Sequence, residues 1–168
     1  MDYQFRLANK SDLDNIIKIF SNAIQDMKEK GIDQWDNIYP NSDIIKNDIE
    51  NKQMYVLIYN NRLVSTIVIN EQQDTEYQAV NWKQREGNVC VIHRMCVDPT
   101  VQGKGFGKRT VSFVEDKALE NNYSIIRLDA FSKNPFAIHL YEALNYKCVG
   151  EVQFRKGKFY CYEKILHK

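Results

Sequence analysis

Apolar residues recur at helical spacing early in the chain. Leu13, Ile16, Ile17, Phe20, Ala23, Ile24 and Met27 share one face of a helix that Ser11 can cap and Gly31 can end. Before it, residues 3–8 read as a short strand. Trp35, Tyr39 and Pro40 mark an aromatic connection, and Ser42 is placed to cap a shorter helix with Ile44, Ile45 and Ile49 on one side. The pattern then turns to strand. Residues 54–59 and 63–70 are β-rich runs around Asn60-Asn61-Arg62, a turn sequence tolerant of positive φ, so they predict a hairpin. The polar segment 71–87 is long for a connection inside a compact domain. Tyr77, Val80 and Trp82 give it apolar anchors, compatible with either a lid or an extended hairpin connection.

Residues 89–97 form a near-continuous apolar run, as a strand buried on both faces requires, and the run stops at Asp98-Pro99. A glycine-rich segment follows at once. Gly107, Thr110, Val111, Val114 and Ala118 then mark one face of a helix ending near Asn121-Asn122, and 124–130 is another apolar strand. This is a β-α-β unit with parallel strands. A further helix starts with Asn134 as cap and Pro135 at its first position, turns Ala137, Leu140, Tyr141 and Leu144 inward, and ends at Asn145. Two final strands, 147–154 and 159–166, meet through a turn at Gly157. The prediction is an α/β fold: a twisted mixed sheet of six or seven strands flanked by helices, parallel at its centre and antiparallel elsewhere.

Length and charge narrow the function classes. At 168 residues and 43% hydrophobic content the chain suits one domain spanning residues 1–168, with no linker, repeat or low-complexity tract to divide it. The 23 basic and 22 acidic residues balance, which argues against nucleic acid or an anionic membrane as the main partner. Neither a secretory signal nor an apolar stretch of roughly 18 residues occurs, so a cytoplasmic location is expected. Cys90, Cys96, Cys148 and Cys161 lie in apolar or strand-like runs without C-x-x-C spacing, so they are expected to be buried free thiols, with no metal bound.

The chemistry is concentrated in Gln102-Gly103-Lys104-Gly105-Phe106-Gly107. A buried strand that delivers such a loop to a helix N-terminus makes an anion site, because small residues admit close approach and first-turn N–H groups favour phosphate oxygens. Lys104 and Lys108 strengthen that field. A Walker A loop is excluded: a glycine at 107 and Lys108 are followed by Arg109 where a hydroxyl is needed, and the spacing from Gly103 fails. The dinucleotide pattern G-x-G-x-x-G asks for glycine at 108, which is lysine. Asp129 does stand at a strand end about 20 residues onward, as that pattern wants, but too little chain remains to complete a doubly wound fold. The pattern Q/R-x-x-G-x-G/A is matched at every fixed position.

With that loop, and with Asn134-Pro135-Phe136-Ala137 leading to Leu140-Tyr141-Glu142-Ala143-Leu144-Asn145-Tyr146, the sequence resembles the GNAT acetyltransferase superfamily over most of its length. The second stretch is similar to N-x-x-A-x-x-x-Y-E-x-x-G-F, with Asn145 at the usual glycine. Asparagine tolerates the left-handed conformation a helix cap needs. The resemblance implies acetyl-CoA or coenzyme A as cosubstrate. Backbone groups of Met95, Cys96 and Val97 would pair with the pantetheine arm, and Gln102, Gly103, Lys104, Gly105, Phe106, Gly107 and Lys108 would wrap the pyrophosphate. Asn134 would hydrogen-bond the arm, and Tyr141 would point its hydroxyl at the thioester sulfur.

Direct acyl transfer needs a neutral amine, a polarised carbonyl and a protonated leaving thiolate, but no enzyme nucleophile. Tyr141 is then the general acid, although packing alone also explains its inward position. His93, just before the arm-binding segment, is either the general base, a substrate contact or an oriented core histidine near Arg94. Trp35 and Tyr39 lie where the superfamily commonly shapes its acceptor site, but equally suit helix packing; Asp33 or Asp36 would attract an ammonium. The expected acceptor is an amine of a small molecule or peptide, with monomer and homodimer both open. A coenzyme A sensor or partner-binding domain without turnover is the non-enzymatic alternative.

Overall fold

The computed structural model describes residues 2–167. Its elements, in chain order, are β1 (Tyr3–Leu7), α1 (Leu13–Glu29), α2 (Ser42–Glu50), β2 (Met54–Tyr59), β3 (Arg62–Asn70), β4 (Val89–Val97), α3 (Phe106–Glu120), β5 (Ile125–Phe131), α4 (Pro135–Ala143), β6 (Lys147–Phe154) and β7 (Gly157–Ile165). Short 3-10 turns cover Lys10–Asp12, Thr75–Ala79 and Pro99–Val101. The seven strands form one mixed sheet in the order β1-β2-β3-β4-β5-β7-β6. β4 and β5 pair in parallel, while β1–β2, β2–β3, β5–β7 and β6–β7 are antiparallel. The predicted α/β architecture is therefore observed.

Local chemistry explains most boundaries. Asn60 and Asn61 both take positive φ, 48° and 60°, which joins β2 to β3 in a two-residue turn. Asn145 ends α4 in the left-handed region at φ 68°, and Asn134 caps its start by accepting the N–H of Ala137. Two predicted caps are corrected by one or two residues. Asn9, rather than Ser11, receives the first free amide in a reciprocal capping box with Asp12, and a 3-10 turn precedes α1. Asn41, rather than Ser42, caps α2 through the N–H of Ile44. In both places the residue with extended backbone is the asparagine, and a cap must be non-helical to turn its side chain back on the first turn.

The chain forms two compact groups of residues. In the group up to Ile69 with His93–Phe113, α1 and α2 bury Ile16, Phe20, Ala23, Ile45 and Ile49 with Met54 and Val56 of β2. In the group Asn70–Ile92 with Val114 onward, Tyr77, Val80 and Trp82 pack with Val91, Val152 and Cys161. The 71–87 segment is thus anchored by its apolar residues, as the sequence suggests. It forms part of a core. Trp82 lies 5.1 Å from the Tyr77 ring and gives its indole N–H to the Tyr77 carbonyl at 3.0 Å. The Arg127 guanidinium stacks 4.3 Å from the Trp82 ring and donates to Gln73 and to the Gln84 carbonyl. Cys90, Cys96 and Cys161 are buried free thiols, but Cys148 is exposed, a correction that follows from its place on β6, the last strand of the sheet.

Trp82→Ala should lower unfolding free energy by about 3–5 kcal/mol, the usual cost of truncating a buried tryptophan. Urea unfolding measures it, and a loss within about 0.5 kcal/mol would mark the segment as a loosely held lid instead.

Candidate functional site

The route to the glycine loop begins at Asp98, which follows β4 and is 4% exposed. Its carboxylate accepts the backbone N–H of Thr100 at 3.0 Å and the Thr100 hydroxyl at 2.9 Å, and forms an ion pair with Arg62 of β3. Burial opposes its charge, but these donors outweigh burial and hold the carboxyl below its ordinary value. The turn Pro99–Val101 is fixed in this way. Val101 and Phe106 are buried with Leu57 and Val64, so the intervening residues 102–105 arch outward and are exposed.

Gly103 and Gly105 take φ of 78° and 81°, and a Cβ at either would meet no atom within 4 Å. Such φ values strain any side chain, and the open space leaves the backbone accessible to a ligand. Gly105 begins the ladder of α3, its carbonyl accepting the N–H of Arg109 at 3.1 Å. The N–H groups of Phe106, Gly107 and Lys108 therefore have no acceptor within the helix. The helix start is seated firmly: Thr110 Oγ1 donates to the Phe106 carbonyl at 2.7 Å and shares a buried 2.7 Å hydrogen bond with Ser65 of β3. Lys104 and Lys108 are exposed on either side of these amides. The arrangement suits a multiply charged phosphate: the first-turn amides and the positive helix end lie at residues 102–108, a stretch that also carries Lys104 and Lys108.

β4 carries a second special feature. Its parallel ladder with β5 runs from Val89↔Ile125 to Val91↔Arg127, although β4 continues to Val97 and β5 to Phe131. At Arg94 the strand takes φ 46°, a left-handed conformation that departs from the extended pleat directly before Met95, Cys96 and Val97. A non-glycine residue there costs on the order of 1–3 kcal/mol and must be held by its surroundings. Arg94 is held by a two-pronged ion pair with Asp48 of α2, Nε–Oδ2 2.8 Å and Nη2–Oδ1 2.6 Å, and it donates to the Tyr39 hydroxyl at 3.0 Å. Burial works against the guanidinium charge, but Asp48 and Tyr39 outweigh it and raise its pKa.

Other predicted residues fall as follows. His93 is half-buried on β4, directly before Arg94. Arg94 is bound to Asp48 and Tyr39. Trp35 packs on Phe20 with ring centroids 5.3 Å apart, and Tyr39 is 37% exposed. A cavity of about 500 Å³ lies beside α1, bounded by Phe20, Ile24, Asp36, Pro40 and Ile45; Trp35 and Tyr39 are outside its lining. Asp36 accepts the N–H groups of Ile38 and Tyr39, so it shapes its own turn, while Asp33 is exposed. Asn134 uses Oδ1 as a helix cap. Tyr141 is 6% exposed, with its ring 5.7 Å from Tyr146 and 6.3 Å from Tyr162. Burial, assisted by the Asp129 charge, raises its pKa, so the phenol keeps its proton. His139 and His167 are exposed.

Sequence reasoning missed Asp48 and Asp129. Asp48 lies three residues after Ile45 on the apolar stripe of α2, and an acid on a buried face signals a buried cation. Asp129 entered only through the rejected dinucleotide pattern. Among the described residues no cluster of three or more His, Cys, Asp or Glu side chains is arranged to hold a metal, and no helix is long and apolar enough to cross a membrane.

Residues 20–146 match the model of the Acetyltransferase (GNAT) family. S-alkylcysteine N-acetyltransferase of Bacillus subtilis (strain 168) is 25% identical over 172 residues, covering 98% of this chain and 87% of the relative. A GNAT-family acetyltransferase structure from Streptococcus agalactiae superposes with a TM-score of 0.87 at 25% identity, covering 99% of this chain and 96% of that one. A Salmonella typhimurium protein solved with its cofactor acetyl-CoA has the same fold, with a TM-score of 0.72 at 18% identity over 99% of this chain and 95% of that one.

Asp48→Ala leaves the buried Arg94 guanidinium without its counter-charge. Stability should fall by about 3–5 kcal/mol, read as a lower urea midpoint; a fall below about 1 kcal/mol would show that the left-handed Arg94 backbone does not depend on this pair.

Proposed function

Because the chain belongs to the GNAT family of acetyltransferases, we propose that it moves an acetyl group from acetyl-CoA directly to the primary amine of a small molecule or peptide. The observation that carries this reading is the loop at 102–108: left-handed Gly103 and Gly105 in open space, leading into the free amides of α3. It supports a diphosphate ligand. Family membership and the acetyl-CoA of the Salmonella typhimurium protein favour coenzyme A over other diphosphates. The Bacillus subtilis relative acts, by its name, on S-alkylcysteine, so an amino acid derivative is the first acceptor class to test.

Acetyl-CoA supplies the activated acyl carbon as a thioester. Residues 102–108 would hold its pyrophosphate, and backbone groups of Met95, Cys96 and Val97 would bond its pantetheine arm. Asn134, whose Oδ1 caps α4, would hydrogen-bond the arm. Tyr141, kept protonated by burial, donates to the departing sulfur. His93 contacts the acceptor, with Trp35 and Tyr39 shaping the region around it.

Direct transfer is favoured over a covalent acyl-cysteine by the state of the buried thiols. Burial pushes Cys90 up to about 12 and Cys161 up to about 12, and Cys96 higher still, so none supplies a thiolate at neutral pH.

Amine-dependent release of free coenzyme A across amino acids, S-alkylcysteines, polyamines and peptides tests the reading. Tyr141→Phe should lower kcat by roughly 10²–10⁴-fold, the contribution of a general acid, without changing acetyl-CoA affinity. Tight binding without release for any acceptor would favour the sensor, and an unchanged Tyr141→Phe rate would remove the tyrosine from the mechanism.

A further inference from the structure

Asp129 stands on β5 in register with Cys161 of β7. Its Oδ2 accepts the Tyr77 hydroxyl at 2.6 Å, and among the described residues its Oδ1 has no hydrogen-bond partner. The side chain is only partly exposed. A carboxylate in such a position, with one oxygen oriented by a phenol and the other left over, is poorly satisfied by the protein alone.

The strand register shows which way it faces. Leu128 pairs with Tyr162, whose ring packs on Tyr141 of α4, so that pair faces α4. The next pair along, Asp129 with Cys161, faces the opposite side of the sheet, where Cys161 packs with Tyr77, Val80 and Trp82. Tyr141 and Asp129 thus flank β5 on opposite faces. Burial raises the Tyr141 pKa and the Asp129 charge adds to it. Acid and base on opposite faces match acyl transfer, in which the amine gives up a proton on one side of the carbonyl carbon and sulfur gains one on the other.

We propose that Asp129, oriented by Tyr77, is the general base that binds the acceptor amine and takes its proton. This inference rests on the acetyltransferase reading. The nitrogen lone pair forms the N–C bond while the C–S bond breaks with its electron pair. One amine proton passes to Asp129 Oδ1, and the thiolate takes the proton of Tyr141, which regains one from solvent. His93 then contacts the acceptor without taking its proton.

The surrounding groups tune the carboxyl in the required direction. Burial is the largest influence and the Asp74 charge adds to it, while the Tyr77 hydroxyl pulls the other way; the carboxyl is left at about 6. Cys161, pushed up to about 12, and Tyr141, also raised, are neutral in this range and do not compete for the proton. Asp129 is therefore ionised at neutral pH and protonated below about pH 6, so activity that needs its carboxylate must fall on the acid side.

The test is the pH profile of kcat/KM for the best amine in wild type, Asp129→Asn and Tyr77→Phe, with acetyl-CoA affinity and melting temperature measured alongside. Wild type should lose activity below about pH 6. Asp129→Asn should lower the plateau roughly 10²–10⁴-fold and abolish that limb, with acetyl-CoA affinity unchanged. Tyr77→Phe, which removes the bond that lowers the carboxyl pKa, should move the limb to higher pH and leave a measurable plateau. If wild type transfers acetyl groups and Asp129→Asn keeps both rate and limb, Asp129 is not the base and the transferase reading stands. If Tyr77→Phe leaves the limb in place, the limb does not belong to Asp129. A wild type that transfers to no amine overturns both readings.

Discussion

The N–H groups at the start of α3 have no acceptor within their helix, and the chain before them is shaped so that its own side chains leave them open. Much of the first group of residues serves that constraint. The buried Asp98 carboxylate gathers the Thr100 amide, the Thr100 hydroxyl and the exposed Arg62 into one knot at the end of β4. Val101 and Phe106 anchor both ends of the exposed arch, and the Ser65–Thr110 bond fixes the helix to β3. The unsatisfied amides are thereby held rigid, so a phosphate meets them with little reorganisation.

A similar trade between burial and partners governs Arg94. Its left-handed backbone would be unstable alone, yet Asp48 fixes the side chain from α2 and Tyr39 adds a third contact. An ion pair whose partners are 14% and 3% exposed leaves little room for either charge to find water, so each depends on the other. Elsewhere burial acts on the proton inventory. It keeps the buried thiols Cys90 and Cys96 and the Tyr141 phenol protonated, while it lifts Asp129, against the pull of the Tyr77 hydroxyl, to about 6.

What the sequence disclosed was largely what neighbouring residues decide. Asn60-Asn61, Asn134-Pro135, Asn145 and the glycines of the loop carry their conformations in their own chemistry, and β4 follows from an apolar run interrupted only by His93-Arg94. The caps slipped because Asn9 and Ser11, like Asn41 and Ser42, are rival acceptors within two residues, and backbone angles choose between them. The left-handed backbone at Arg94 was not legible, because arginine has no preference for positive φ and its partner Asp48 is 46 residues away. The Tyr77–Asp129 bond, spanning 52 residues, was hidden for the same reason: Tyr77 reads locally as an apolar anchor.

The central claim is that residues 102–108 form a coenzyme A pyrophosphate site. Titration calorimetry with coenzyme A, ATP and NAD, on the wild-type chain and on Gly105→Val, tests it most directly. The account predicts saturable binding of coenzyme A at one site, much weaker binding of the two nucleotides, and loss of coenzyme A affinity when a branched side chain is forced onto a left-handed residue in the open loop. Absence of coenzyme A binding, or coenzyme A binding by Gly105→Val as tight as wild type, would contradict it.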